Sequence, residues 1–192
     1  MSKAELTKLK IIEKAAELFN SRGYSNTSIS DIMQATELKK GGIYNHFKSK
    51  EDLVIAAFNF SSNNINQILL DRLSKRKSLL DKLKVFIEVY SNLAQDIPIQ
   101  GGSPLIKATV ECENFKIRDL VKSATNFQLI LLRKILNQGI SSREISSEIQ
   151  AEQAAIMILS LLQGASIISR LYRNEKYVDE VGNYIIYLIK NI

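Results

Sequence analysis

Apolar residues recur at helical spacing along almost the whole chain. The first such stripe consists of Leu9, Ile12, Ala16 and Phe19, and a later one of Leu120, Ala124, Phe127, Leu131 and Ile135. Two more stripes follow, with Ala154, Ile158, Leu161, Ala165 and Ile168 in one and Val178, Val181, Ile185 and Leu188 in the other. Separations of three or four residues are typical of one face of an α-helix, and no sustained alternation of strand period competes. The pattern predicts an all-α protein.

Helix-breaking and capping residues place the predicted ends. Gly23 follows the first helix as a C-terminal glycine, and Ser28 caps the next one, with Asp31 three residues later as in a capping box. Further breaks fall at 95–104, which holds both prolines, at 139–147 and at 173–176. About nine helices are therefore predicted, over residues 3–22, 28–35, 39–46, 49–75, 78–95, 104–113, 116–138, 148–173 and 176–191.

Residues 28–47 combine two short helices with a joint of about three residues. The joint covers residues 36–38, and the apolar side chains that can fill the angle between the helices are Ile32, Leu38, Ile43 and Phe47. This spacing predicts a helix-turn-helix, whose second helix enters the major groove of DNA.

The polar residues of the second helix favour DNA binding over an ordinary helical corner. Lysine, tyrosine and asparagine donate to phosphates, and asparagine can also hydrogen-bond adenine through two bonds. Two adjacent glycines cost a helix about 1 kcal/mol each, and close approach of the backbone to a phosphate would explain them. The predicted DNA-binding residues are Thr27, Ser28, Lys39, Lys40, Gly41, Gly42, Tyr44, Asn45, His46 and Lys48.

Composition and charge support this interpretation and exclude several classes. The chain has 192 residues with 45% hydrophobic and 24% charged residues, which are ordinary globular values, and one cysteine excludes a disulfide framework. The net charge is +6, and residues 1–50 carry nine basic against five acidic residues, which suggests a polyanionic partner. The longest apolar stretch, 154–168, is short and interrupted by polar residues, so we expect no membrane span and a cytoplasmic protein.

The stretch from Ile11 to Leu53 resembles the DNA-binding domain of the TetR family of bacterial repressors. The chain departs from the family at Glu37, where glycine is frequent, and at Lys39, where a small polar residue is commoner. The matching residues are Ile12, Ala15, Ala16, Leu18, Phe19, Gly23, Tyr24, Thr27, Ser28, Asp31, Ile32, the run from Lys40 to Phe47, Lys50, Glu51 and Leu53.

The resemblance implies a complete architecture and a mechanism. It implies an N-terminal three-helix DNA-binding domain, at 1–48, and a C-terminal helical bundle for ligand binding and dimerisation, at 49–192. Proteins of this family are homodimers that usually pair through their last two long helices. They bind double-stranded operator DNA, an inverted repeat, and a small-molecule inducer releases them. A weaker likeness to one subgroup covers Gly101 to Leu105, Gly139-Ile140 and Gln163 to Ala165.

Residues of the C-terminal part suit two of these roles. The last two helices are apolar over too wide an arc for surface helices, which predicts a symmetric dimer interface. In that interface Gly164 and Ala165 would allow close approach, and Leu161 and Ile168 would fill the seam. Four aromatic residues are candidates for an inducer pocket, with plain core packing as the alternative: Phe86, Tyr90, Phe115 and Phe127.

The remaining chemistry argues against an enzyme. His46 is the only histidine, so the usual nucleophile–histidine pairs cannot form, and no sequence motif for a metal or a nucleotide is present. We expect no catalysis, no cofactor and no metal. Cys112 could act as a redox sensor, although its acidic neighbours disfavour a thiolate and favour a merely packed residue. A DNA-binding architectural protein without an inducer is the alternative function, and a filled C-terminal core would favour it.

Overall fold

The computed structural model describes residues 1–95, 101–111 and 115–191. These ranges contain nine α-helices and no strand, which confirms the predicted all-α class. The helices are α1 (Lys3–Arg22), α2 (Ile29–Thr36), α3 (Lys40–Tyr44), α4 (Lys50–Ser74), α5 (Leu79–Ala94), α6 (Pro104–Glu111), α7 (Phe115–Ser141), α8 (Ala151–Tyr172) and α9 (Lys176–Asn191). Cys112 lies outside the described residues.

Most helix ends lie within a few residues of their predicted positions, because local capping signals set them. Gly23 ends α1 with a φ of 100°, and both hydrogen bonds of the capping box at Ser28 and Asp31 are present. The second helix of the helix-turn-helix is shorter than the predicted 39–46. After Tyr44 the ladder tightens, since the His46 N–H donates to the Ile43 carbonyl three residues back instead of four.

The chain forms two compact units. The first combines residues 1–64 with 99–121, and the second combines 65–98 with 122–192. Helix α6 therefore belongs to the same unit as α1, α2 and α3, although it follows them by some 60 residues in sequence. Helices α4 and α7 each contribute residues to both units.

The core of the first unit holds the helix-turn-helix against α1. Phe19 is 1% exposed and stacks on Tyr24, with ring centroids 5.5 Å apart. Ile32, Ile43 and Phe47 are buried, as predicted for the inner side of the joint. Burial of these side chains fixes the direction in which α3 presents its opposite face.

The core of the second unit lies among α5, α8 and α9, which pack on one another. Phe86, Leu162 and Ile185 are completely buried there. By length and composition, α8 is the one helix of the described residues that could cross a membrane. Its packing against α5 and α9 accounts for this apolar composition as that of a core helix.

Candidate nucleic-acid interface

The turn between α2 and α3 is built on a residue in the left-handed conformation. Glu37 has φ 61° and ψ 26°, and its N–H donates to the Met33 carbonyl. The Leu38 N–H donates to the same carbonyl at 3.2 Å. A residue with a Cβ is disfavoured in this conformation relative to glycine. The chain thus forms the helix-turn-helix corner with a non-glycine residue at the position where the TetR family frequently has glycine.

The start of α2 is fixed by reciprocal hydrogen bonds. The Asp31 carboxylate accepts from the Ser28 N–H at 2.7 Å and from its hydroxyl at 2.6 Å, while the Ser28 Oγ accepts from the Asp31 N–H. The hydrogen bonds from Ser28 hold the pKa of the Asp31 carboxyl below its ordinary value. The cap therefore carries a full negative charge at neutral pH, which suits the N-terminus of α2.

Thr27 and Ser28 differ in how far they are available to DNA. Thr27 is completely buried, and its hydroxyl donates to the Gly23 carbonyl at 2.7 Å. Ser28 is exposed, although its hydroxyl is bound to Asp31. In this structure both side chains hold the loop between α1 and α2.

Helix α3 and the residues beside it present hydrogen-bond donors outwards. The inner positions Ile43 and Phe47 are buried, while Gly42 and His46 are half-buried. The exposed positions are Lys39, Lys40, Gly41, Tyr44, Asn45 and Lys48. The structure therefore gathers eight of the ten predicted residues along one short segment, with the donors on its outer side.

The lysines of this segment are not neutralised by neighbouring acids. Among the described residues, Lys39, Lys40 and Lys48 form no ion pair. The Lys40 ammonium lies 5.9 Å from the centroid of the Tyr44 ring, so its partner is an aromatic face. The positive charge of the outer face is consequently available to a phosphate backbone.

The two glycines of α3 differ in their surroundings. A Cβ at Gly41 would meet no atom within 4 Å, and Gly41 is not among the residues with a positive φ. A Cβ at Gly42 would lie 3.4 Å from the Leu38 Cβ, which is ordinary contact. Neither intrachain packing nor backbone conformation requires glycine at 41.

The sequence did not predict that Lys8 lies beside the segment 39–48. Lys8, on α1, places its ammonium 5.7 Å from the centroid of the Phe47 ring and is exposed. The excess of lysine in the first helix was visible in the sequence. Its proximity to Phe47 depends on how α1 packs against the helix-turn-helix, which no local pattern encodes.

The aromatic candidates of the C-terminal part include a buried polar group. Phe86 and Tyr90 are buried, Phe127 is half-buried, and the Phe115 side chain lies outside the description. The Tyr90 hydroxyl donates to the Gln128 Oε1 at 2.8 Å. Burial raises the pKa of the Tyr90 phenol, against a smaller lowering by a hydrogen bond with Gln163, so the phenol is neutral.

Two surface grooves of the second unit lie away from these aromatic residues. One, of about 690 Å³, is lined by α7 residues from Ile130 to Ser141 and by Ser142 just after the helix. The other, of about 360 Å³, lies among residues of 94–95 and 170–175. Neither groove is lined by Phe86, Tyr90 or Phe127. Among the described residues no group of three or more histidine, cysteine, aspartate or glutamate side chains could hold a metal ion.

Comparison with known proteins gives matches along nearly the whole chain. Residues 11–57 match the family model described as bacterial regulatory proteins, tetR family, and residues 80–185 match the tetracyclin repressor-like C-terminal domain. The HTH-type transcriptional regulator AcrR of Shigella flexneri is 26% identical over 168 residues, which cover 84% of this chain and 77% of that protein.

Solved structures show the same fold. A TetR transcriptional regulator from Chloroflexus aurantiacus J-10-FL is 31% identical with a TM-score of 0.92, and the match covers 98% of this chain and 96% of that one. The regulator FadR from Bacillus subtilis, solved in complex with stearoyl-CoA, shares the fold at 23% identity and a TM-score of 0.77. That match covers 95% of this chain and 97% of that chain.

Proposed function

Because the chain belongs to the TetR family of bacterial regulatory proteins, we propose that this regulator is a dimeric repressor that a small molecule releases from its operator. The helix-turn-helix makes it a DNA-binding regulator of transcription, and its relatives are of a non-enzymatic class. We place it in the cytoplasm, where its DNA partner is. The repressor role is supported by the tetracyclin repressor-like match over residues 80–185.

The observation that carries DNA binding is the outer face of α3 and its flanks. Lys39, Lys40 and Lys48 carry charges that no acid among the described residues neutralises, so they attract phosphates. Asn45 is exposed on the same segment and has the donor and acceptor geometry for adenine. Gly41 lets the backbone approach a phosphate, and Tyr44 and His46 add further donors. Thr27 and Ser28 support the interface by holding the loop before α2.

We propose that α8 and α9 form the homodimer interface. On α8 the side chains of Ile156, Ile167 and Leu171 are 49%, 50% and 75% exposed and fall on one helical face. Gly164 lies on this face, and a Cβ there would meet no atom within 4 Å, so a partner helix could approach closely. Ala165 is buried in its own unit, so the close approach expected of both small residues falls to Gly164. Tyr184 and Tyr187 extend the exposed apolar surface along α9.

The proposed inducer site lies in the second unit, near Tyr90. An apolar core that contains a neutral phenol and two amides suits a mostly apolar ligand with one hydrogen-bonding group. FadR of Bacillus subtilis, which shares this fold, was solved in complex with stearoyl-CoA, whose acyl chain is long and apolar. Helix α4 follows directly after the helix-turn-helix and contributes residues to both units, so it is the proposed route from ligand to DNA.

Selection of DNA duplexes tests the proposal directly. The protein is incubated with random double-stranded DNA, and the enriched duplexes are sequenced. We expect an inverted repeat, because a twofold symmetric dimer presents two copies of α3. Failure to enrich any duplex would contradict the proposal. Enrichment of a duplex whose binding responds to no ligand would point instead to an architectural protein without an inducer.

A further inference from the structure

Helix α6 and the residues just before it are attached to the last turn of α1 and to the loop that follows α1. Before α6, the Gly102 carbonyl accepts a buried hydrogen bond from the Asn20 Nδ2 at 2.8 Å. At the end of α6, the Glu111 Oε2 accepts from the Tyr24 N–H at 2.7 Å. Residues 20 and 24 are about one helical turn apart. The segment 102–111 thus spans the point where α1 ends and the loop to α2 begins.

Two glycines make this close contact possible. Gly101 has a φ of 92°, and a Cβ there would overlap the carbonyl of Asn20. Gly23 has a φ of 100°, and a Cβ there would overlap the carboxylate of Glu111. Both positions have a backbone conformation that favours glycine. At Gly101 the backbone of Asn20 also leaves no room for a Cβ, and at Gly23 the Glu111 carboxylate occupies that room.

The carboxylate of Glu111 acts on the loop that leads into the helix-turn-helix. Its acceptor bond goes to the backbone of Tyr24, whose ring packs on Phe19. The neighbouring Gly23 carbonyl accepts from the Thr27 hydroxyl, and Thr27 directly precedes the cap of α2. A hydrogen bond to a charged acceptor is stronger than a neutral one, and this carboxylate is only 22% exposed.

We propose that Glu111 is a positioning residue for DNA binding: its carboxylate holds the loop between α1 and α2 in the shape in which α3 docks on DNA. The proposal rests on the proposed function. It adds a second connection between the C-terminal sequence and the helix-turn-helix, through α6 instead of α4. Residues 101–111 belong to the sequence matched by the C-terminal family model, yet they pack in the first unit. Any displacement of α6 therefore breaks the contact with Tyr24 and lowers the affinity for operator DNA.

Four substitutions on α6 distinguish the effect of the length of the Glu111 side chain from the effect of its charge. Glu111→Ala removes the acceptor, Glu111→Asp keeps the charge but shortens its reach, and Glu111→Gln keeps the reach without the charge. Lys107→Ala is the matched control, because the Lys107 ammonium lies 3.6 Å from the other oxygen, Oε1, and not on the bond to Tyr24. The probe is a duplex enriched from random DNA by the wild type, and affinity is measured by fluorescence anisotropy on variants whose helical circular dichroism matches the wild type.

We expect Glu111→Ala and Glu111→Asp to weaken binding of the duplex by about tenfold or more, the range for loss of a hydrogen bond to a charged group. Lys107→Ala should stay within about threefold of the wild type. Glu111→Gln should bind more weakly than the wild type but more tightly than Glu111→Asp, since a neutral acceptor retains the contact in a weaker form. Amide hydrogen exchange at Tyr24, measured relative to amides of the core in the same variant, separates the local contact from global stability. It should accelerate in the Ala and Asp variants and stay slow in the other two.

The outcomes separate the inference from the proposed function. A wild type that enriches no duplex overturns both. A wild type that enriches a duplex, with Ala and Asp variants that bind it equally or more tightly, overturns the inference alone. If Glu111→Ala does not fold, the Asp and Gln pair decides: weaker binding for Asp than for Gln supports the positioning role, and equal binding overturns it.

Discussion

We expect the residues at 39–48 to divide into those that supply charge to the proposed DNA interface and those that supply sequence preference. The proposed dimer presents two copies of every lysine, and each phosphate contact contributes about 0.9 to the slope of log K against log salt concentration. We expect Lys40→Ala to reduce the slope of log K against log salt concentration by about 1.8. Binding of the selected duplex is measured between low and physiological salt.

Lys84→Ala is the control for this measurement. Lys84 is exposed on α5 in the second unit, so its removal changes the net charge equally without touching the DNA-binding face. Its slope should equal that of the wild type. Equal slopes for Lys40→Ala and Lys84→Ala would exclude a phosphate contact at Lys40.

Asn45 is expected to contribute preference rather than charge. Replacement by alanine should reduce discrimination at the contacted base pair by about 1–3 kcal/mol per half-site and leave the salt slope unchanged. Competition between the selected duplex and single-base variants measures this. A variant that keeps the full sequence preference of the wild type would assign base contact to another residue of α3.

Glu37 offers a prediction about stability at the same scale. A non-glycine residue in the left-handed conformation costs roughly 1–2 kcal/mol, whereas glycine adds about 0.4–1 kcal/mol of unfolded-state entropy. Glu37→Gly should therefore raise the free energy of unfolding by about 0.5–1 kcal/mol, measured in urea. Glu13→Gly, at an exposed interior position of α1, should lower it by about 1 kcal/mol. A loss of stability in both variants would mean that the Glu37 side chain contributes more than its backbone strain costs.

At the scale of helices, the sequence predicts what depends on neighbours in the chain. The Ser28–Asp31 box, the glycine after α1 and the apolar stripes are local, so the positions of most helices could be predicted. The contacts of Lys8 with Phe47 and of Glu111 with Tyr24 join distant segments, the latter 87 residues apart, and no periodicity signals them. The exposure of single residues could not be predicted either. Gly164 and Ala165 look equivalent in the sequence as small residues, but Ala165 is buried and Gly164 is not.

The exposed face of α8 carries the prediction on assembly. Ile167 is 50% exposed on this face, and a glutamate there would place two charges without partners in the proposed dimer interface. We expect Ile167→Glu to weaken the dimer by on the order of 3–5 kcal/mol, the cost of an uncompensated buried charge. Sedimentation equilibrium measures the change. Leu6→Glu is the control, because Leu6 is 54% exposed on α1 and should leave the association unchanged. A wild type that is monomeric at micromolar concentration would rule out the proposed interface.

At the scale of the whole molecule, the proposed repressor must couple two sites. A ligand lowers the affinity for DNA only as far as it prefers the state that does not bind DNA, and the operator lowers the ligand affinity by the same factor. Compounds with an apolar body and one hydrogen-bonding group are screened by the shift in melting temperature. We expect a compound that stabilises the protein to bind about 5–150-fold more weakly when the selected duplex is present.

Tyr90 links this coupling to the proposed pocket. Tyr90→Phe removes the hydroxyl that donates to Gln128, so it should lower the affinity of the protein for the compound. The affinity for the duplex alone should stay that of the wild type. If the affinity of a compound changes neither with the duplex nor with Tyr90→Phe, the compound binds elsewhere and is not an inducer. A compound that responds to the duplex but not to Tyr90→Phe would keep the coupling and move the pocket away from Tyr90.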